Sequence, residues 1–470
     1  MVLSLACSND KKNNSNESHQ PNEQNLPIKY DINEIKKAGT LRAITTFSPT
    51  GYFLYKGQPM GFEYEMLSRL AKSLDVDLDI VLAKNVDSVI PMLNRGEGDI
   101  IAIGYTITGS RKEEVSFTNP YIVTHQSLVQ KKPDNWRKLN ADQIKKQLAN
   151  DIVDLINDTV SVRKNTSYYM RLSQLSNELG DTIYINVLPG ETTDEESIKL
   201  VSEGKIKYTI IDNNIATIHK GYFSNIDINT PISLSQRIAW AVRKNSPNLL
   251  KKINDGLKNI KRKPDYNVLY KKYFKNRRQF IKRIDSEFYT ETTGKISKYD
   301  DIVKKYAIDL GWDWRLIKAL IFQESMFDST NKAWTGASGL MQLMPATAKE
   351  LGVTDPNDPD QNIKAGIKYL NRMYTYWPDI TDSIQRIKFA MASYNSGFGH
   401  VKDAQILAKK YKKNSLVWDE GVDEFILKLS KPKYYNDPEV KFGYVRGNEP
   451  YNYINEIFNR YKQYSDFTKE

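Results

Sequence analysis

The sequence predicts an α/β module of two lobes followed by an all-helical domain. Three observations predict it. Between Leu41 and Val242, short apolar runs alternate with stretches of helical spacing, the signature of an α/β unit with a mainly parallel sheet. From Tyr299 onward only helical spacing remains, at Leu316, Ile317, Leu320 and Ile321, then from Ile363 to Leu370 and from Ile384 to Met391. The two regimes meet in a mixed polar stretch, Arg283 to Lys298. A chain of 470 residues with 40% hydrophobic content can bury several ordinary cores. The expected organisation is a tether over residues 1–30, an α/β module over 31–275, a linker over 276–298 and a helical domain over 299–470.

The elements follow in order. Met1 to Cys7 is a short apolar stretch ending in Ala6-Cys7, and it turns sharply polar at Ser8. It resembles the end of a bacterial lipoprotein signal, which implies lipidation of Cys7. Residues 8 to about 30 carry almost nothing to bury and read as a flexible tether. The first lobe is expected over about 38–133. It contains the strand Leu41–Ile44, a helix over Glu65–Leu74, the strand Leu78–Leu82, a helix near Val89–Asn94 and the strand Asp99–Ile103. The second lobe is expected over about 134–229, with strands at Thr159–Val162, Ile183–Val187 and Tyr208–Asp212. Arg237–Val242 then returns to the first lobe, which takes in 230–275. Two lobes joined by crossing strands make a cleft that can hinge.

The formal net charge of +11 favours an anionic partner such as nucleic acid, a membrane surface or a cell-wall polymer. The charge is spread along the chain, without a basic arm or a nucleic-acid fold signature, and nucleic acid is not expected. A single cysteine excludes an intrachain disulfide and a cysteine-based metal cluster. The four histidines, His19, His125, His219 and His400, lack ligand spacing, so no metal and no cofactor are expected.

Chemistry concentrates in Gln323-Glu324-Ser325-Met326-Phe327, in Gly336 to Pro345, and in Ser393 to His400. Glu324 follows Leu320 and Ile321 by four and three residues, on the apolar face of its helix. A carboxyl beside apolar packing is desolvated, which favours its protonated form and suits a general acid. An exposed Glu near a helix C-terminus looks the same in sequence. Together with Thr347-Ala348, Glu449 and Tyr453, these segments resemble the soluble lytic transglycosylase catalytic domain, a lysozyme-like helical fold that cleaves peptidoglycan. The resemblance implies that Glu324 is the catalytic acid/base and that 1,6-anhydromuramoyl ends are formed. It also implies that Ser325, Met341, Gln342, Tyr394, Asn395 and Tyr453 line the glycan cleft. Hydrolysis, as in a muramidase, and a glycan-binding sensor without catalysis are the alternatives.

In the first module, Gly61-Phe62-Glu63-Tyr64-Glu65, Gly98-Asp99, Thr106-Ile107-Thr108 with Arg111, and Phe117 to Tyr121 resemble the family 3 extracellular solute-binding proteins. That periplasmic-binding-protein-like resemblance implies an amino-acid or peptide site. Arg111 would receive the α-carboxylate, Asp212 the α-amino group, and Thr106, Thr166 and Ser167 polar contacts. Arg111 could equally order the neighbouring Glu113-Glu114. A clamp of this kind ahead of such a catalytic domain resembles the membrane-bound lytic murein transglycosylase F family. This implies a peptidoglycan-cleaving lyase whose first module binds the peptide stem of a muropeptide. It also implies a lipoprotein of the cell envelope, held at the outer membrane and facing the periplasm.

Overall fold

The computed structural model describes residues 27–468, so Cys7 and most of the expected tether lie outside the described residues. The first lobe contains β1 (Thr40–Thr45), a hairpin of β2 (Phe53–Tyr55) and β3 (Gln58–Met60), β4 (Asp77–Leu82), β5 (Ile100–Thr106), β6 (Val115–Phe117) and β7 (Ile122–Thr124). The chain then crosses to a second sheet of β8 (Gln126–Lys131), β9 (Thr159–Arg163), β10 (Tyr184–Leu188), β11 (Tyr208–Asp212) and β12 (Ile226–Asp227). It returns through β13 (Gln236–Arg243).

The first sheet runs β4-β1-β5-β13-β6, with β7 also on β13, and the second runs β10-β9-β11-β8-β12. In the first sheet β1 pairs in parallel with β4 and β5, and in the second β9 pairs in parallel with β10 and β11. The strand next to the crossing runs antiparallel: β13 against β5, and β8 against β11.

The crossing comes about eight residues earlier than the sequence suggested. β8 reads as polar because of Gln126, Ser127 and Gln130, yet all three are buried. Gln130 exchanges hydrogen bonds with the Ala149 backbone at 2.8 and 2.9 Å, so its amide is satisfied inside the lobe.

Several motif residues of the first lobe hold the fold. Gly61 has φ +132, and a Cβ there would stand 1.9 Å from the Gly51 carbonyl oxygen. Glu63 is buried and accepts hydrogen bonds from Tyr121 and the Trp240 indole, both at 2.6 Å. Asp99, fully buried, pairs with Arg42 at 2.8 Å and Arg243 at 3.2 Å.

The stretch expected as a linker is packed. It forms helices over Arg277–Ile284 and Thr290–Thr293, with Phe280, Tyr289 and Ile296 buried. Beyond it the chain is predominantly helical. The acid-bearing helix Trp314–Ser325 lies among Asp300–Leu310, Pro359–Thr375, Ser383–Ser396 and the last helix, Asn448–Phe467. One apolar core runs without a break from the first lobe through Phe53 and Tyr289 to Ile317, Leu320 and Ile321, while the second lobe has a core of its own. The second lobe is therefore the part that can swing as a unit.

Candidate active site and ligand cleft

The helix Trp314–Ser325 is capped by Asp313, whose carboxylate accepts from the Arg315 amide at 2.8 Å. Its buried stripe of Leu316, Ile317, Leu320 and Ile321 turns Glu324 inward at the far end. Met326 and Phe327 then adopt φ of 52° and 64°, two consecutive left-handed residues that swing the chain off the helix directly after the acid. Phe327 is held there from three sides. Its ring meets Phe322 at 5.5 Å, the Lys318 ammonium lies 4.1 Å above it, and the Gly57 turn of the β2–β3 hairpin abuts it. Lys318 is itself fully buried and paired with Asp300 at 2.8 Å.

Glu324 is partly buried, and the Tyr453 hydroxyl donates a short hydrogen bond to its Oε1. Burial lifts the carboxyl to about 7, and the hydrogen bond from Tyr453 works against that rise. The hydroxyls of Tyr394 and Tyr453 are both pushed well above their ordinary value, first by burial and then by the charge of Glu324, which places both rings at the acid. Tyr394 donates to the Met341 carbonyl at 2.7 Å.

The other residues singled out in the sequence fall into different roles. Ser325 is buried, and its hydroxyl returns to the Ile321 carbonyl at 3.1 Å. Met341 is fully buried against Gly366, so its side chain does not wall a cleft, contrary to the expectation; it is the Met341 carbonyl that meets Tyr394. Gln342 donates to the Asn331 and Gly339 carbonyls at 3.0 and 2.8 Å, so its amide nitrogen is committed to the loop. Asn395 is exposed.

Asn362 was not anticipated. Buried on the Pro359–Thr375 helix, it accepts from the Met341 amide at 2.8 Å and donates to the Ser338 and Pro356 carbonyls. It thereby pins the loop that carries Gly339 to Gln342. A Cβ at Gly339, φ +82, would stand 2.1 Å from the Asn362 amide nitrogen. An asparagine on an apolar helix face was the available signal.

In the first module, Thr106, Arg111, Thr166, Ser167 and Asp212 line one cleft of about 830 Å³ between the lobes. Arg111 is almost fully buried. Its guanidinium lies 3.8 Å over the Tyr105 ring and donates to the Thr106 carbonyl at 3.0 Å and, from the other lobe, to the Asn165 carbonyl at 3.4 Å. Ser167 donates to Thr106 across the lobes at 3.3 Å. Thr166 caps the helix Ser167–Leu179. Asp212 is 5% exposed, and its Oδ1 has no hydrogen-bond partner. Burial first, and then the charge of Asp194, raise its carboxyl to about 8, with Arg111 opposing.

Two family models match the chain: bacterial extracellular solute-binding proteins, family 3, over residues 32–276, and the transglycosylase SLT domain over 301–417. The chain is 36% identical over 433 residues to the membrane-bound lytic murein transglycosylase F of Desulfosudis oleivorans, covering 91% of this chain and 90% of that one. It belongs to the membrane-bound lytic murein transglycosylase F family. Relatives of the same name from Shewanella sediminis (32% identical, 89% of this chain and 82% of that one) and Photobacterium profundum (30%, 92% and 81%) extend the match. Among solved structures, an ancestral arginine-binding protein bound to arginine aligns with 50% of this chain and 98% of its own, at 26% identity and a TM-score of 0.43.

As a member of this family the chain is an enzyme, a lytic murein transglycosylase. The SLT match ends at 417, whereas Tyr453 stands on the last helix and still closes on Glu324. That helix continues past Glu324 to Tyr464, which donates to the Gly57 carbonyl at 2.9 Å, and ends with Asp466 and Phe467 in the wall of the cleft between the lobes.

Proposed function

We propose that this protein cleaves the β-1,4 bond between N-acetylmuramic acid and N-acetylglucosamine with Glu324 as the only acid/base, and that it leaves 1,6-anhydromuramoyl ends. The observation that carries this reading is a carboxyl lifted to about 7 by burial and touched by a tyrosine hydroxyl. At neutral pH such a group is divided between its two forms, as a group that first gives and then takes a proton requires. Protonated Glu324 gives its proton to the glycosidic oxygen as the C1–O bond breaks. The carboxylate then removes the proton of the muramoyl C6 hydroxyl, whose oxygen bonds to C1 of the same sugar. The acid is regenerated and no water is consumed.

Hydrolases of either stereochemistry ordinarily use two carboxyls, about 5–10 Å apart. Among the described residues, the groups that shift Glu324 include no second carboxylate. Asp313 is held by Arg315 and Tyr461 at the opposite end of the helix, and Asp328 is exposed and turned to Thr330. Mass spectrometry of digested peptidoglycan tests the reading. Anhydromuramoyl ends are expected, and reducing muramic acid ends would replace it with hydrolysis.

The first module is proposed to bind an amino acid or the peptide stem of a muropeptide, with Arg111 on the α-carboxylate and Asp212 on the α-amino group, and thereby to regulate cleavage. Support comes from the last helix, which carries Tyr453 at the acid and Asp466 and Phe467 at the cleft. A ligand that shifts one end of this rod changes the other, and by linkage glycan binding then changes ligand affinity by the same factor. The site of action proposed is the cell envelope, with attachment through lipid on Cys7 at the outer membrane. Among the described residues no helix is long and apolar enough to cross a membrane.

A further inference from the structure

Cations occur throughout the chain, but the net charge is local. The 38 residues from Pro247 to Ile284 hold thirteen lysines and arginines against two acids, Asp255 and Asp265, a balance of +11. That equals the net charge of the whole protein, so all its other residues together balance to zero. The segment is three successive helices, Pro247–Arg262, Pro264–Phe274 and Arg277–Ile284. Their apolar sides enter the core that runs on into the catalytic domain, through Leu249, Ile253, Leu257, Leu269 and Phe274. The cations lie on the other side. Lys272 pairs with Glu65 at 2.5 Å and Arg283 is buried; the other eleven are exposed, and among the described residues none of these eleven is in an ion pair with a carboxylate.

Like charges gathered in this way repel one another, which works against the folded state and favours a partner that neutralises them. Two observations say which partner. The first is where the N-terminal tether joins the fold. Asn245 donates from its side chain to the Pro27 and Ile28 carbonyls at 3.2 and 3.0 Å, and the Asp31 carboxylate accepts from the Asn248 and Leu249 amides at 3.1 and 2.6 Å. Residues 1–26 therefore meet the folded protein at the first turn of the first basic helix. The second is the character of the surface itself. Lys271, Lys275 and Arg277 converge with Asn267, Tyr270 and Asn276 on an open depression of about 570 Å³, and Val268, 64% exposed, stands beside it. An apolar side chain set among cations suits the boundary between lipid headgroups and acyl chains better than it suits a fully hydrated polyanion.

We infer that these three helices form a docking surface for an anionic membrane leaflet, with lipid phosphates against the exposed cations and Val268 turned to the acyl boundary. The choice of a membrane over other polyanions rests in part on the proposed attachment through Cys7, which would bring the tether to the same side. A lipid anchor and a basic surface are the two signals that together give stable attachment. The helices share one core with the helix that carries Glu324, so a protein docked in this way holds its active site at a fixed angle to the membrane, while the second lobe, with its own core, stays free to move.

Flotation with lipid vesicles tests the surface, using the full chain with Cys7→Ser, which cannot be acylated. The protein is expected to float with vesicles of phosphatidylglycerol and phosphatidylcholine at about 50 mM salt, to ignore vesicles of phosphatidylcholine alone, and to be released at about 500 mM salt. Lys271→Gln combined with Lys275→Gln and Arg278→Gln, all at exposed positions, should weaken this binding roughly fivefold per charge removed, on the order of a hundredfold together. Thermal unfolding and turnover of soluble glycan fragments should be unchanged. Undiminished binding by this variant would overturn the surface, as would equal binding of the unsubstituted surface to neutral and anionic vesicles. Tighter retention on lipid-free sacculi or on duplex DNA than on anionic vesicles, lost in the same variant, would overturn the membrane assignment and give the surface to that polymer. Because the tested chain is unacylated, an absent lipid on Cys7 would not alter these results, and their failure would not remove the proposed anchor.

Discussion

Glu324→Gln is expected to separate stability from activity in a way that follows from the burial of the acid. The amide keeps the shape of the side chain and the oxygen that accepts from Tyr453, but it neither gives nor takes a proton. Cleavage should fall by at least the ~10²–10⁴-fold that proton transfer ordinarily supplies. Stability should move the other way. In the folded protein Glu324 holds its proton up to about pH 7, whereas in the unfolded chain it releases it near 4.5. Between these values the native state binds more protons, so the contribution of this group to stability falls as pH rises through the window and stays low above it. The full difference is roughly 3 kcal/mol.

Removing the ionisable group removes that cost. The variant should therefore melt several degrees above the wild type at pH 8, and the gain should vanish near pH 4.5. Thermal unfolding at the two pH values, with turnover of purified sacculi measured in parallel, gives both readings. A variant no more stable than the wild type at pH 8 would refute the buried-acid argument. Turnover within about tenfold of wild type would refute the assignment of Glu324.

Other substitutions probe the supports of the site. Tyr453→Phe removes a hydrogen bond to the carboxylate, worth ~1.5–3 kcal/mol, and should raise the pKa of Glu324, moving the alkaline limb of the kcat/KM profile up by about one to two pH units; an unmoved limb would break the link between this tyrosine and the acid. Lys318→Met leaves Asp300 without its buried cation and should cost ~3–5 kcal/mol in urea unfolding. Gly57→Val strains a residue at φ +73 by about 1–2 kcal/mol and drives its Cβ to 2.5 Å from Phe327, so its melting temperature should fall, and a neutral result would show that the hairpin does not press on the catalytic domain as described.

Much of the architecture was legible because local signals agreed with it. The strands β1, β4, β5 and β9 to β11 are apolar runs between helical stretches, and the acid-bearing helix declares its buried stripe in its spacing. The first-lobe motif residues were legible as a pattern, though Gly61, Glu63 and Asp99 turn out to serve close backbone approach and buried hydrogen bonds rather than ligand contact. β8 was hidden because Gln130 finds its partner, the Ala149 backbone, only in the folded lobe. In the catalytic domain, residue type was a weaker guide than position. Ser325, Met341 and Gln342 look like cleft residues in sequence, yet a helix carbonyl, Gly366 and two loop carbonyls claim them. Asn362, which orders that same loop, carries no local signal beyond being polar on an apolar face.

Charge shows the same limit in its sharpest form. A total of +11 argues for an anionic partner, and that argument concerns the chain as a whole. It says nothing about where the carboxylates gather. Glu195, Glu291 and Asp466 are about 270 residues apart at their extremes, in three elements that no periodicity connects, and they share a wall only because the last helix runs from Tyr453 past the Gly57 turn into the cleft. The same run of backbone that brings Tyr453 to Glu324 thus also brings a carboxylate to the wall of the cleft. Under the proposed function, a ligand that reaches Asp466 meets the same helix that carries Tyr453 to Glu324, which is the physical route by which the cleft would act on the acid.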